Sequence, residues 1–596
     1  MPDPEHSEIG FPDAVQLFRS FARVAESSQR LVLDFLTRAP EFSGLRTADR
    51  RVGEAFLELT AKMLSDPVAL ARAQIELWTE HARLWTTSTE RIFGLADHSA
   101  DMGPPDPRFR HPTWSEVAIF DYIKQSYIIT AESVLSTVRG VEGLDKKTAR
   151  KVNFYTRQFV DAIAPSNFIA TNPEVLKATL ESGGRNLLNG LANLLRDIDA
   201  SRRTLSITMS DLDAFRVGET IAATLGKVVF QNEMMQLIQY SPLTDEVRRV
   251  PLLIVPPWIN KFYVLDLRPR NSFIRWAVAQ GHTVFVISWV NPDARLAEKS
   301  FEDYMLQGPI AALDVVKTAT GERETNLVGY CLGGTLLAAT LAYLAAKGDT
   351  RAVSATFFAT LVDFTDVGDM AVFIDEEQLK ELEARMRDRG YLEAHEMAMS
   401  FNMLRANDLI WSFVVNNYLL GKEPLPFDVL YWNADATRMP AAMHSFYLRN
   451  MYHENRLAMP GGITLAGVPI DLRKVEVPSF FLSTREDHIA PWRTTYGGTQ
   501  LFSGPVTFVL AASGHIAGVI SPPGSKYGHW QNPHHPTDPD EWFRTATADS
   551  GSWWPVWDQW VAGFSEGMVD AREPGGGKLQ PIEDAPGSYV RMRAGR

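Results

Sequence analysis

Cys331 is the single cysteine in a chain of 596 residues, and it stands in Gly329-Tyr330-Cys331-Leu332-Gly333-Gly334. A thiol set among glycines is suited to nucleophilic acyl transfer. The glycines allow a turn sharp enough to present the sulfur, and a helix starting just beyond would direct its positive end at a thiolate. Such a nucleophile needs a base, and the base needs an orienting acid. Ser483-Thr484-Arg485-Glu486-Asp487-His488 directly follows the apolar run Phe480-Phe481-Leu482, and Ala511-Ala512-Ser513-Gly514-His515 directly follows Val509-Leu510. We read His515 as the base that takes the thiol proton and Asp487 as its acidic partner. Asp363, beyond the run 353–358, is the rival acid. Free cysteine is commonly a buried packing residue; here the flanking elements and the two partners favour chemistry.

Those flanking elements have a recognisable order. The apolar Asn326-Leu327-Val328 reads as a strand and Thr335 to Leu341 as a helix, so the cysteine occupies a strand–elbow–helix turn. This is the G-x-S-x-G nucleophile elbow with cysteine for serine, and it predicts an α/β-hydrolase fold, in which acid and then histidine follow the nucleophile along the chain. An oxyanion hole needs backbone N–H donors. Leu332 supplies one. The other is expected from Val255-Pro256-Pro257-Trp258-Ile259-Asn260-Lys261, where the prolines cannot donate and Trp258 or Ile259 can. Asn260, Lys261, Tyr330 and His488 adjoin these positions and are the candidates for substrate contact; Lys261, Arg268 and Arg270 are the candidates for phosphates. No metal and no cofactor is expected. Cysteine in place of serine points to thioester chemistry, because exchange between two thioesters is nearly reversible, whereas a serine ester is a deeper well.

The runs 250–255, 283–288, 326–330, 353–358, 479–482 and 506–510 read as strands alternating with helices, hence a parallel sheet covered on both faces. The helical stretch at about 366–475 reads as a cap inserted into a catalytic domain spanning 206–596. Residues 1–205 are expected to form an all-helical N-terminal domain. Within it, Leu70, Leu77, Trp78, Leu84 and Trp85 read most simply as a helix–helix core, with dimerisation or adsorption to an apolar surface as alternatives. Thr113-Trp114-Ser115-Glu116 reads as a capping box, and Asn172-Pro173 as an N-cap with proline in the first turn. Trp553, Trp554, Trp557 and Trp560 predict a helix packed on the core, and Gly575-Gly576-Gly577 a flexible tail over 572–596.

A mass of 66.7 kDa exceeds one ordinary core. A net charge of −13 argues against generic nucleic-acid binding. One cysteine permits no internal disulfide, and the polar start Met1 to His6 carries no secretory signal, so a soluble cytoplasmic protein is expected. The apolar stretch from Leu327 to Ala346 imitates a membrane span, but its glycines divide it into strand and helix.

Longer motifs carry a resemblance. Pro256-Pro257-Trp258-Ile259-Asn260-Lys261-Phe262-Tyr263-Val264-Leu265-Asp266-Leu267, Ser288-Trp289-Val290-Asn291-Pro292-Asp293, the cysteine elbow, Arg405-Ala406-Asn407-Asp408-Leu409-Ile410-Trp411, Tyr431 to Thr437, Arg485 to Trp492 and Ser513 to Ile520 together resemble the class I polyhydroxyalkanoate synthases. The resemblance implies polymerisation of (R)-3-hydroxyacyl-CoA, with a preference for short chains such as 3-hydroxybutyryl-CoA. It further implies release of CoA through an acyl-cysteine, a homodimer at the surface of a polyester granule, and a mobile cap. Asp487 is implied to help activate the attacking 3-hydroxyl as well as orient His515. Ser521 departs from the asparagine usual in that family. The competing readings are an intracellular acyl-CoA thioesterase, which would share the triad but give the acyl group to water, and a granule-coat scaffold, which would need no triad.

Overall fold

The computed structural model describes residues 45–92, 106–199 and 206–594. The chain forms two compact units, one of Met1–Met209 with Arg405–Leu425, the other of Ser210–Leu404 with Pro426–Arg596. The helical insertion is thus divided along the chain between them. The share of the helical expectation falling on residues 10–44, 93–105 and 200–205 lies outside the described residues.

Among its described residues the first unit holds helices and no strand. Asn172 caps the helix Pro173–Ser182, its side chain accepting from the N–H groups of Glu174 and Val175 with proline at the first turn, as expected. The capping box does not form. Thr113–Glu116 is a single turn whose N-cap is Pro112, and extended Val117 separates it from the helix Ala118–Arg139. The aromatic stripe is not a core either: Leu84 is 3% exposed, but Trp78 and Trp85 are 70% and 64% exposed. Residues 405–425 join this unit through the helix Arg185–Asp199. Tyr418 donates to Asp197, Asn186 and Asn193 donate to the carbonyls of Leu419 and Asn417, and a Cβ on Gly190 would lie 1.8 Å from the Tyr418 carbonyl oxygen.

The second unit is built on one mixed sheet. Its strands are β1 (Gly226–Gln231), β2 (Met235–Tyr240), β3 (Leu252–Val255), β4 (Val284–Trp289), β5 (Thr325–Tyr330), β6 (Ala352–Phe358), β7 (Ser479–Thr484), β8 (Val506–Ala511), β9 (His529–Gln531), β10 (Thr547–Asp549) and β11 (Glu583–Asp584). They lie in the order β10-β9-β8-β7-β6-β5-β3-β4-β2-β1-β11. All of the strands read from the sequence are present, from β3 to β8, and they pair in parallel. An all-parallel sheet is corrected: β1, β2, β9, β10 and β11 add antiparallel edges. The central strands are buried on both faces and therefore appear in the sequence as unbroken apolar runs. The edge strands mix polar with apolar residues and leave no such trace.

At the end of the chain one expectation holds and one is corrected. The tryptophan helix, Trp554–Ala562, packs on the core as expected. The tail, expected to be flexible, is instead held over its described residues. Gly575, Gly576 and Gly577 all have positive φ, and a Cβ on Gly576 would lie 1.9 Å from the Ala319 carbonyl oxygen. The glycine run is a tight turn against the helix Ala311–Thr320, and beyond it β11 pairs with β1. Among the described residues no helix is long and apolar enough to cross a membrane.

Candidate active site

Cys331 sits between the end of β5 and the helix Leu332–Lys347 at φ 52°, ψ −121°. This is a strained backbone for a residue with a side chain, costing on the order of 1–3 kcal/mol, and it persists because the surroundings determine it. The Cys331 N–H donates to the Phe358 carbonyl at 2.9 Å, and its own carbonyl accepts from Gly334 N–H at 2.9 Å. A Cβ on Gly329 would lie 2.4 Å from the Gly334 Cα, and one on Gly333 would lie 2.1 Å from the Val255 carbonyl oxygen. The elbow glycines therefore bring the Cys331 turn against the end of β3, where the loop holding the candidate oxyanion donors begins.

His515 and Asp487 meet at that same carboxyl edge of the sheet. His515 Nδ1 lies 2.7 Å from Asp487 Oδ2, with both side chains buried. Cys331 lies close enough to act on the charge of the same imidazole. Asp487 Oδ1 accepts from the N–H groups of Ile489 and Ala490 at 2.8 and 2.9 Å, and Oδ2 accepts from Thr484 Oγ1 at 3.1 Å. Burial opposes a charge on His515, but the Asp487 carboxylate and Cys331 outweigh it and hold the imidazole well above its ordinary pKa of 6.5. Burial likewise opposes ionisation of Asp487, yet His515 and the two N–H donors carry it below 3.8. The rival Asp363 has other partners: its Oδ1 accepts from Thr365 and from Asn455 Nδ2.

The loop after β3 narrows the second oxyanion donor. Pro256 and Pro257 have no N–H, and that of Asn260 donates to Thr437 Oγ1 at 2.8 Å, which leaves Trp258 and Ile259 beside Leu332. Thr437 Oγ1 in turn donates to the Trp258 carbonyl at 2.8 Å, so one hydroxyl fixes both ends of this turn. The Trp258 ring is buried among Trp289, Phe301, Tyr304 and Tyr447. Asn260 holds φ at 60°. Tyr330 stacks on His515 with ring centres 5.7 Å apart and donates to its carbonyl at 3.3 Å. His488 is half-buried next to Asp487. Lys261 differs from the other candidates for substrate contact: it is 4% exposed, and its ammonium donates to Asp435 and the Val590 carbonyl. Arg268 is paired with Asp428. A cavity of about 260 Å³ lined by Phe215, Arg216, Tyr431, Asp435, Arg591 and Arg593 includes none of the triad.

Two groups near the thiol were not singled out by sequence. Tyr447 and Tyr452 are pushed well above their ordinary pKa, first by burial and further by Cys331. A π-helical stretch at Leu448–His453 lies between them and brings residues five apart to ring centres 5.5 Å apart. An ordinary helical wheel separates them. The tryptophans at the C-terminal helix were read only as core, yet Trp553 and Trp554 also donate to the carbonyls of Gly518 and Val519, in the loop that follows His515. Ser521 lends its carbonyl to Ser552 Oγ.

Known proteins are similar to this chain over most of its length. The model of the poly-beta-hydroxybutyrate polymerase (PhaC) N-terminus matches residues 105–277, and that of the alpha/beta hydrolase fold matches residues 250–522. The chain is 50% identical over 562 residues to the poly(3-hydroxyalkanoate) polymerase of Methylorubrum extorquens, covering 94% of this chain and 92% of that one. It is 48% identical over 595 residues to the poly(3-hydroxyalkanoate) polymerase subunit PhaC of Rhizobium meliloti, covering 98% and 96%. To the corresponding subunit of Cupriavidus necator it is 41% identical over 545 residues, covering 90% and 91%.

Proposed function

The chain belongs to the poly(3-hydroxyalkanoate) polymerase family, and from that premise we propose that it joins (R)-3-hydroxyacyl-CoA units into polyester. The observation that supports the mechanism is the buried His515–Asp487 pair at 2.7 Å, with Cys331 at the elbow close enough to act on the imidazole's charge. His515 takes the thiol proton as the sulfur attacks the thioester carbonyl. The oxyanion forms beside the N–H groups of Leu332 and of Trp258 or Ile259. Its collapse breaks the bond to CoA, whose sulfur leaves with the proton from His515, and the acyl group stays on Cys331. The 3-hydroxyl of another unit then gives its proton to His515 and attacks that acyl carbonyl, forming the ester and freeing the thiolate. No cofactor enters the scheme. Asp487 acts here through His515, because its carboxylate already accepts four hydrogen bonds and has little capacity left for a substrate hydroxyl.

We further propose work at a granule surface as a homodimer, with 3-hydroxybutyryl-CoA as monomer. The exposed Leu57, Leu64, Ile75, Trp78 and Trp85 support contact of the N-terminal helices with an apolar polyester. Purified protein given (R)-3-hydroxybutyryl-CoA is expected to release CoA and deposit polymer, and Cys331→Ala is expected to do neither. Free 3-hydroxybutyrate without polymer would establish the thioesterase instead.

A further inference from the structure

We propose that Lys261 is a positioning residue for the oxyanion loop, tying it to Asp435 on one side and to the C-terminal tail at Val590 on the other. The proposal rests on the reading of Cys331 as nucleophile and of Trp258 or Ile259 as oxyanion donor.

Lys261 ends the loop 255–261. Its Nζ donates to Asp435 Oδ1 at 2.8 Å and to the Val590 carbonyl at 2.6 Å, and the other Asp435 oxygen accepts from Tyr263 at 2.9 Å. The Lys261 carbonyl accepts from Trp432 Nε1 at 2.7 Å. Backbone and side chain of one residue are thus both held. A buried ammonium is costly unless fully paired, so the cluster specifies a single seat for the chain that carries it. Burial pulls the Lys261 pKa down against the opposing pull of Asp435, as expected for a charge withdrawn from water. Two residues upstream lies Ile259 and three upstream Trp258. Thr437, two residues past Asp435, holds the other end of that turn. A phosphate of the substrate would have to displace these partners to reach the ammonium.

The tail that offers Val590 is itself anchored. Tyr589 donates from its hydroxyl to the Asn232 carbonyl at 2.7 Å and from its N–H to Gln236 Oε1 at 3.1 Å. Asn291 Nδ2 donates to the Met592 carbonyl at 3.2 Å, and Arg593 donates to the Tyr431 hydroxyl at 2.7 Å. The end of the chain thereby reaches the loop beside the nucleophile, although Val590 is 259 positions beyond Cys331 in sequence.

Two variants test this. Lys261→Met combined with Asp435→Asn removes the tie without leaving a buried charge unpaired, and a chain ending at Tyr589 keeps the ion pair but loses the Val590 carbonyl. In each, kcat for CoA release from (R)-3-hydroxybutyryl-CoA is expected to fall roughly 10- to 100-fold with KM little changed, less than outright loss of one oxyanion donor. The discriminating readout is alkylation of Cys331 by iodoacetamide, clean because the chain has one cysteine. That displacement forms no oxyanion, so its rate is expected to stay at the wild-type value. Wild-type kcat in the double variant overturns the proposal. So does alkylation that slows in step with kcat, which would mean general damage to the site. If the double variant does not fold, the shortened chain decides by the same two readouts. Failure of the underlying reading is separate, since it would appear as polymerisation surviving Cys331→Ala.

Discussion

Asp487 and His515, the proposed acid and base, share one buried hydrogen bond whose two partners shift in opposite directions. Asp487→Asn preserves shape but removes the charge that sets the imidazole's orientation. By analogy with triads in general, kcat is expected to fall roughly 10³- to 10⁴-fold. The pH dependence of stability follows from the signs. The raised His515 contributes fully below its ordinary 6.5 and loses that contribution as pH rises through its higher folded value. The depressed Asp487 contributes fully above its ordinary 3.8 and loses it as pH falls through its lower folded value. Denaturant titrations across pH should therefore show the largest gap between wild type and Asp487→Asn from pH 3.8 to 6.5, closing on both sides. A gap that widens outside that window would contradict the charged pair.

Single elements carry the candidate catalytic groups, and each is braced by something distant in the chain. The His515 loop depends on the helix Trp554–Ala562. Trp554→Phe keeps most of the ring's apolar area but strands the Val519 carbonyl, which now accepts from Trp554 Nε1 at 3.0 Å. A loss of about 1–3 kcal/mol in chemical denaturation is expected, with a lower kcat as the loop loosens. The elements themselves differ in how plainly they could be read. Strands β3 to β8 are short apolar runs bounded by turns, because both faces are covered. The edge strands β9 and β10 carry polar residues, and β11 is Glu583-Asp584, invisible to any hydrophobic pattern. The π-helical stretch that places Tyr452 beside Tyr447 has no periodicity of its own to reveal it.

Over the whole molecule, the two compact units do not divide cleanly at 205/206 as the sequence suggests, since 405–425 belongs with the first. Burial in that unit is also uneven. Leu84→Ala is expected to cost about 2–5 kcal/mol, whereas Trp78→Ala and Trp85→Ala should each stay within about 0.5 kcal/mol, measured by denaturant unfolding. Equal losses would return the tryptophans to a core. Large apolar residues at helical spacing suggested one, but spacing reports only that side chains share a face. Whether another element covers that face depends on packing partners elsewhere in the chain.

The sequence by itself singled out Cys331 as the candidate nucleophile, Asp487 and His515 as its candidate partners, and the six central strands, because each rests on neighbours within a few residues: glycines around a thiol, a polar group at the end of an apolar run. Tertiary structure decided the rest. It paired His515 with Asp487 instead of Asp363, and it turned Lys261 from a candidate for substrate contact into a buried tie. It also converted a glycine-rich tail from a presumed loose end into a strand and an anchor beside the oxyanion loop. These outcomes share a physical reason. A carboxylate, an ammonium or a free carbonyl is satisfied by whichever partner the fold brings within hydrogen-bonding distance, and that partner stands tens or hundreds of residues away.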